Sequence, residues 1–571
     1  MESEEQSPFQ FLTREEKTIV GSYRPGIWKS KGGKEVKKIL ATLLCIVMAF
    51  ALFAGCQEQS GESSSDLSGE KVLIEGRASD SVTLDPFNAT DIASWRVARQ
   101  IYDTLVGYET GTFAPTPGLA SEWTVSDDGL IYTFTLREDV KFHDGTDFDA
   151  NAVVFNIERW WDPNNEYHQG EFANVVSFFG GFKGDEGCII DDVKATGDYE
   201  VQITLNQVYP AFLARLTDPS TAIISPEAIK TYGEEIGRNP VGTGPFVFES
   251  WTPNDNITLT KNENYWDGAP KLDKVIFKVI PDNTARLIAL QSGEIDIMDS
   301  LNTSDYETVL NNDGLQIIER PAINCGFYWF NTTQAPFDNV KVRQAICMAV
   351  DKQGIIDSIY NGLAIPAKSV LSPSSWAYNE EMEDYPFDPT AAKELLAEAG
   401  YPDGFDMVLT VRGEARAYFP QPQKLAEAIQ ANLADIGINV TIESYEGTTY
   451  TSLVYGGDFS MASWGTGGSD PDPALAINHY FNKTAAEGER ATNSARWVND
   501  EASALLTEAQ NITDQEQRAE MYCEVQQIIH DEAVILPIVH VRAMLAAADY
   551  VTGYVAFTDY YESYAQVDIQ R

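Results

Sequence analysis

The stretch from Asp406 to Tyr445 constrains the fold more tightly than any other. DMVLTVRG alternates apolar and polar residues as a strand does. QKLAEAIQANLADIG repeats its apolar positions at helical spacing, and NVTIESY returns to alternation. Strand, helix, strand in that order predicts an α/β unit. The same interleaving runs through the preceding sequence. KVLIEGRA, LIYTFTLRED, YEVQITLN, PFVFESW and DKVIFKVI read as strands. SWRVARQIYDTLVGY, ANAVVFNIERWW capped by Asp149, and the pair within PFDNVKVRQAICMAVDKQGIIDSIY read as helices. NTARLIALQSGEIDIM supplies a helix, a turn and a short strand, and DPTAAKELLAEAG is a helix with Asp388 as cap and Gly400 as stop. VILPIVHVRAMLAAA is apolar enough for a buried strand and adjoining structure. No short-period repeat interrupts this pattern, so several domains packed as one assembly are expected.

Ahead of this region stands a different kind of segment. KGGKEVKK supplies lysines from Lys31 to Lys38, and Ile39 to Gly55 carries no charge before Cys56. Basic, then apolar, then small residues is the order of a secretion signal. Ala54 and Gly55 are small enough for a peptidase, and Cys56 offers the thiol that lipid attachment needs. A single transmembrane anchor is the competing reading. The run is slightly short for a span, and an anchor does not require Ala-Gly-Cys at its end. Residues 36–55 are therefore assigned as a lipoprotein signal peptide, with Cys56 as the lipidated residue and 56–70, rich in Ser, Gly and Glu, as a flexible tether. Residues 1–35 fit no domain. KGGKE can be encoded by a ribosome-binding sequence, so Val36 is a candidate start.

The charge balance excludes one class of partner. With 86 acidic and 40 basic residues among 571, the net charge is −46, and unaided nucleic-acid binding is not expected. Hydrophobic residues make up 43 % of the chain, which is ample for folded cores. Catalytic signatures are missing as well. The five histidines include no HExxH, and the acidic residues beside His143 are those of a turn. No GxSxG elbow occurs, and NPVGTGPF is not followed by the Lys-Ser or Lys-Thr of a phosphate loop. Gly242 and Gly244 are expected to permit unusual backbone angles there. Cys188, Cys325, Cys347 and Cys523 have no metal-ligand spacing; three disulfide pairings and four buried thiols all stay open. No metal, cofactor or enzymatic activity is expected.

SMASWGTGGSDPDPALAINHYF is the distinctive loop. Trp464 ends an apolar strand-like run, small residues leave space beside its indole, and Asp470 and Asp472 flank Pro471. It reads either as a tight loop around a packed tryptophan or as the wall of a ligand cleft.

LASEWTVSDDGLIYTFTLREDVKFHDGTDFDANAVVFNIERW, NPVGTGPFVF, LTKNENYWDGAPKLDKVIFKVIPDNTARLIALQSGEIDIM and PFDNVKVRQAICMAVDK follow one another in a fixed order. In these motifs the chain resembles extracellular solute-binding protein family 5, the binding proteins of peptide and nickel ABC importers, over Lys71 to Arg571. The resemblance implies a bilobal periplasmic-binding-protein-like α/β fold (class II) with an additional third domain. It places the first lobe at 71–102, 241–324 and 535–571, a second domain at 103–240, and the second lobe at 325–534. It implies a monomer that closes on a short peptide or peptide-like solute outside the cytoplasm and delivers it unchanged to a permease with cytoplasmic ATPases. An oligosaccharide, a metal chelate or an exported hydrolase are the alternatives.

Similarity to the dipeptide-binding members places Arg416 at the position of their carboxylate-binding arginine. Trp464 matches the tryptophan three residues before their ammonium-binding aspartate. Here Gly467 stands at that aspartate position, so Asp470 or Asp472 must replace the charge, or the ligand lacks a free amino terminus. Tyr418, Trp95 and Tyr102 are further candidates for the cleft. No histidine corresponds well enough to carry a nickel assignment.

Overall fold

A computed structural model describes residues 69–111, 113–467, 472–488, 490–557 and 562–571. Cys56 and Asp470 lie outside these residues, as do the expected signal peptide and the expected tether up to residue 68. Gly69–Arg571 forms one compact unit organised around three sheets. The largest has seven strands in the order Leu315–Glu319, Met544–Ala548, Ile297–Met298, Val72–Arg77, Lys274–Val279, Asn256–Lys261 and Phe246–Thr252. Its central strand, Val72–Arg77, pairs in parallel with both neighbours. The sheet therefore gathers three stretches of chain separated by more than a hundred residues. The second sheet has six strands: Ala364–Pro366, Ile535–Val541, Cys325–Phe330, Met461–Thr466, Phe405–Arg412 and Ile438–Tyr445. Cys325–Phe330 is buried at every position, as a strand covered on both faces must be. The third sheet is an antiparallel set of four, Ala120–Val125, Ile131–Leu136, Glu200–Leu205 and Ile190–Gly197. Two α/β lobes and a third domain result.

The strand–helix–strand segment forms as its periodicity predicts. Phe405–Arg412 and Ile438–Tyr445 pair in parallel from Phe405 opposite Ile438 to Arg412 opposite Tyr445. The helix Pro422–Asp435 buries Leu425, Ile429 and Leu433 against them, one residue every turn of the same face. Each of these side chains contributes about 1.5–3 kcal/mol by leaving water. Asp149 caps its helix by accepting from Ala152 N at 2.9 Å. Asp388 does the same for Thr390 N and Ala391 N at 3.0 Å, and Gly400 leaves that helix at φ 97°.

Three expectations are corrected. The helix read from SWRVARQIYDTLVGY spans only Ile92–Ile101, and Val106–Tyr108 is a strand paired with Pro115–Pro117. The helix stops because the Ile101 carbonyl receives its hydrogen bond from Gly244 N at 2.9 Å rather than from the next turn. Gly242 and Gly244 do not adopt left-handed angles. Their role is close approach, since a β-carbon on Gly242 would stand 2.2 Å from that carbonyl oxygen. Finally, VILPIVHVRAMLAAA is two strands in two sheets. Ile535–Val541, expected in the first lobe, is hydrogen-bonded into the six-stranded sheet, and only Met544–Ala548 joins the seven-stranded one.

That last difference locates a passage between the lobes. The chain crosses at residues 542–543 and again at 320–324, and the two crossings run side by side. Arg320 N donates to Ala543 O at 2.8 Å. The Asn324 side chain both accepts from Val541 N and donates to Val541 O, each at 2.9 Å. Arg320 is anchored further by two hydrogen bonds to Glu562, at 2.8 and 2.6 Å, and by an ion pair with Asp299 at 3.0 Å. Cys188, Cys325, Cys347 and Cys523 are free thiols, and burial pushes Cys347 up to about 12.

Candidate functional site

The floor of the candidate site is the middle of the six-stranded sheet. Trp464 lies in Met461–Thr466, across from Phe327, and the next cross-strand pair is Gly465 opposite Gly326. Two glycines side by side leave a flat, bare patch of backbone. Phe419 covers Gly326 and Tyr418 covers Gly465; a β-carbon on either glycine would come within 2.5 or 2.6 Å of the ring above it. The covering segment is a tight turn after the strand Phe405–Arg412. Arg416 N donates to Phe419 O at 3.1 Å and Phe419 N to Arg416 O at 3.0 Å. Tyr360 fixes its far side by donating its hydroxyl to Tyr418 O at 2.8 Å. The turn is pinned by a buried phenylalanine and holds Arg416 out into solvent.

Arg416, Tyr418 and Trp464 line one hollow together with Arg412, Glu414, Tyr450 and Ser463. Glu414 is fully engaged. It accepts from Arg412 Nε at 2.9 Å and from Gly447 N at 2.7 Å, and these two bonds hold its carboxyl below the usual range. Arg412 also lies over the Tyr450 ring, 5.7 Å from its centroid. The Arg416 guanidinium, in contrast, makes no hydrogen bond or ion pair among the described residues. Burial raises the Tyr418 pKa while Arg416 and Arg412 pull it back, so its hydroxyl stays protonated at neutral pH. The Trp464 ring is tilted against Tyr455 at 5.5 Å and lies nearly parallel to Tyr450 at 6.3 Å. Its buried Nε1 closes no hydrogen bond of normal geometry, although the Tyr480 hydroxyl lies near enough to feel it. Arg490 stands over Tyr455 at 5.6 Å. In a chain this acidic, two guanidinium groups, those of Arg412 and Arg416, thus share one hollow with Trp464. The hollow has a volume of about 10 Å³, room for one water-sized group. A much larger cavity lies elsewhere, between the third domain and the second lobe.

The remaining candidates are not brought to this hollow. Asp472 is buried and receives two hydrogen bonds from Arg518, at 2.8 and 2.7 Å, so its charge is committed to the interior. Tyr102 is a core residue of the first lobe, 1 % exposed, with its hydroxyl donating to Leu84 O at 3.0 Å. Trp95 is half-buried on the helix Ile92–Ile101 and donates its indole N–H to Pro86 O at 3.1 Å. Gly467 is exposed, and among the described residues nothing lies within 4 Å of where its β-carbon would be. Sequence reasoning missed Arg412, Glu414 and Tyr450. The first two sit in VRGEARAY at the exit of a legible strand, where a charged pair two residues apart was a usable signal. Tyr450 had none, since only packing brings it to Trp464.

Comparison with known proteins decides the family. The family described as bacterial extracellular solute-binding proteins, family 5 Middle, matches residues 114–488. The chain belongs to this family. It is 35 % identical over 519 residues to heme-binding protein A of Haemophilus influenzae, covering 88 % of this chain and 94 % of that protein. It is 33 % identical over 449 residues to the dipeptide-binding protein of Escherichia coli, covering 77 % and 83 %. The solved structure of HbpA2 from Haemophilus parasuis superposes with a TM-score of 0.82 at 30 % identity, covering 88 % of this chain and all of that one. Proteins of this family are the extracytoplasmic substrate-binding components of ABC importers and are not enzymes. Among the described residues no helix is long and apolar enough to cross a membrane.

Proposed function

We propose that this solute-binding protein captures a short peptide or peptide-like solute through its carboxylate and passes it to an ABC permease. One observation carries the reading: the exposed Arg416 guanidinium, without a hydrogen bond or ion pair among the described residues, lines one hollow with Trp464 on a turn seated against paired glycines. A guanidinium holds a carboxylate through two parallel hydrogen bonds. Trp464 and Tyr418 offer ring faces to an apolar or planar part of the same ligand. Similarity to a dipeptide-binding protein supports the peptide class.

The small volume beside Arg416 suits the terminal group of a ligand whose body lies toward the opposite lobe. Ligand contact to both lobes favours the closed arrangement, and the paired crossings at 320–324 and 542–543 are where the chain bends. Closure removes water and strengthens the Arg416 contact. The chain works as a monomer in this reading. Cys56, lipidated after removal of residues 1–55, holds it to the membrane; incorporation of labelled palmitate by the wild type and not by Cys56→Ser tests this arm.

The ligand test begins with the exported protein as isolated. Denaturation releases any bound molecule for mass spectrometry, and calorimetry then compares a dipeptide with its C-terminal amide. A preference for the free carboxylate that disappears in Arg416→Ala is the expected result. Equal affinity for acid and amide would reject the clamp, and failure of a broad peptide panel would reject the peptide class.

A further inference from the structure

A cavity of about 510 Å³ lies between the third domain and the second lobe, within the range of small-molecule sites. It is not the Trp464 hollow. One wall is the segment after the strand Glu200–Leu205, with Gln207 and Tyr209, from the third domain. The other is the helix Ala474–Phe481 of the second lobe, with Asn478 and His479, followed by Asn482. A second cavity of about 290 Å³ shares Pro210 and Arg518 with it and adds Trp123 and Trp376, so the two form one trough.

The chemistry of the trough is unusual for this chain. Its larger part is lined by five carboxamides, those of Gln207, Asn478, Asn482, Gln510 and Asn511, and by no acidic residue. The acid in the smaller part is Asp472, and the cation common to both is Arg518. These two neutralise each other in a bidentate pair. Burial lowers the pKa of His479, so its imidazole is neutral at pH 7. The trough therefore presents hydrogen-bonding groups of both kinds without net charge. Asn478 is the telling member: it is 9 % exposed, and among the described residues neither its amide nitrogen nor its amide oxygen has a hydrogen-bond partner. A buried, unsatisfied carboxamide costs about 1–3 kcal/mol and persists in few places without a reason.

We propose that this trough is a second binding site, for an uncharged, hydroxyl-rich solute of the neutral oligosaccharide class. Each sugar hydroxyl donates and accepts, as each carboxamide does, and the flat faces of Tyr209, Trp123 and Trp376 meet the apolar faces of sugar rings. A zwitterionic peptide suits the trough less well, because its ammonium and carboxylate would find no free counter-charge. Because the walls belong to the third domain and the second lobe, occupancy also ties these two parts together.

The test uses the whole exported protein and two neutral trisaccharides, maltotriose and cellotriose, followed by saturation-transfer NMR and calorimetry. Saturable binding of at least one is expected. It weakens by about tenfold or more in Asn478→Leu and in Gln207→Ala, the loss of one or two hydrogen bonds, and is unchanged in Arg416→Ala. Gln207 is exposed, so its replacement leaves folding intact and keeps the test valid if Asn478→Leu does not fold. Absence of saturable binding by both sugars overturns the proposal. So does binding indifferent to Gln207→Ala, and so does binding abolished by Arg416→Ala, which would place the sugar in the Trp464 hollow.

Discussion

The ring of Tyr418 rests directly on the backbone of Gly465: a β-carbon added there would stand 2.6 Å from Cε2 of the ring and 2.7 Å from the Cys325 carbonyl oxygen. The turn carrying Arg416 is seated by this contact and by its neighbour, Phe419 on Gly326. Gly465→Ala is therefore expected to cost about 1–3 kcal/mol, as overpacking of a tight interior does, and to displace Arg416. Gly467→Ala, two residues on, meets nothing among the described residues and should stay within about 0.5 kcal/mol of the wild type. Urea denaturation of the two variants side by side checks the contrast; equal stability would mean the ring moves aside freely.

Position 467 also offers a gain of function. An aspartate there supplies the carboxylate that the dipeptide-binding pattern has and this chain lacks. Gly467→Asp should raise the affinity ratio of a free dipeptide over its N-acetyl form by up to about fivefold, the worth of an exposed ion pair. Calorimetry with the two ligands measures the ratio. An unchanged ratio would show that the ligand's amino end lies away from this residue.

Asp472 and Arg518 are both buried, and Arg518 also bonds the Tyr522 hydroxyl at 3.1 Å and the Ala509 carbonyl at 3.1 Å. Removing one partner strands the other charge in the interior. Asp472→Ala should cost about 3–5 kcal/mol, and the double variant with Arg518→Leu should recover part of it. Thermal denaturation of the single and double variants decides; equal losses would mean that the pair is not the source of the stability.

His540 makes stability depend on pH. Burial beside the cationic Lys352 brings its pKa down to about 4, despite the 2.8 Å contact of Nδ1 with Asn324 O; the Tyr378 ring faces it edge-on at 6.4 Å. The carbonyl partner assigns the proton to Nδ1. The folded state keeps the ring neutral, while the unfolded state protonates it near 6.5. The unfolded chain thus binds the extra proton between those values. Stability from this group is complete above pH 6.5 and is lost as pH falls toward 4, by on the order of 3 kcal/mol. His540→Asn, whose amide can still donate to Asn324, should flatten that part of the curve. An unaltered slope would assign it to other groups.

Much of this architecture was legible before folding was considered. The interval Asp406–Tyr445 could be read because period-2 and period-3.6 patterns are local, and each apolar position faces its own sheet or helix. Asp149 and Asp388 could be read as caps because a cap acts within three residues. Gly242 and Gly244 were noticed for a reason that proved wrong. Their cause is the Ile101 carbonyl, 141 residues upstream of Gly242 in the sequence, and nothing local records it.

The amino-acid order by itself determined the class of fold, the family, and Arg416 and Trp464 as the residues to examine, because these rest on short-range periodicity and contiguous motifs. Tertiary structure alone decided that Asp472 is spent on Arg518, that Tyr102 belongs to a core, that 535–541 and 544–548 lie in different sheets, and that five carboxamides from two domains face one trough. Each of those is a pairing between residues distant along the chain. Hydrogen bonds and close packing act over a few ångströms of space, and only the folded backbone sets which residues come within that range.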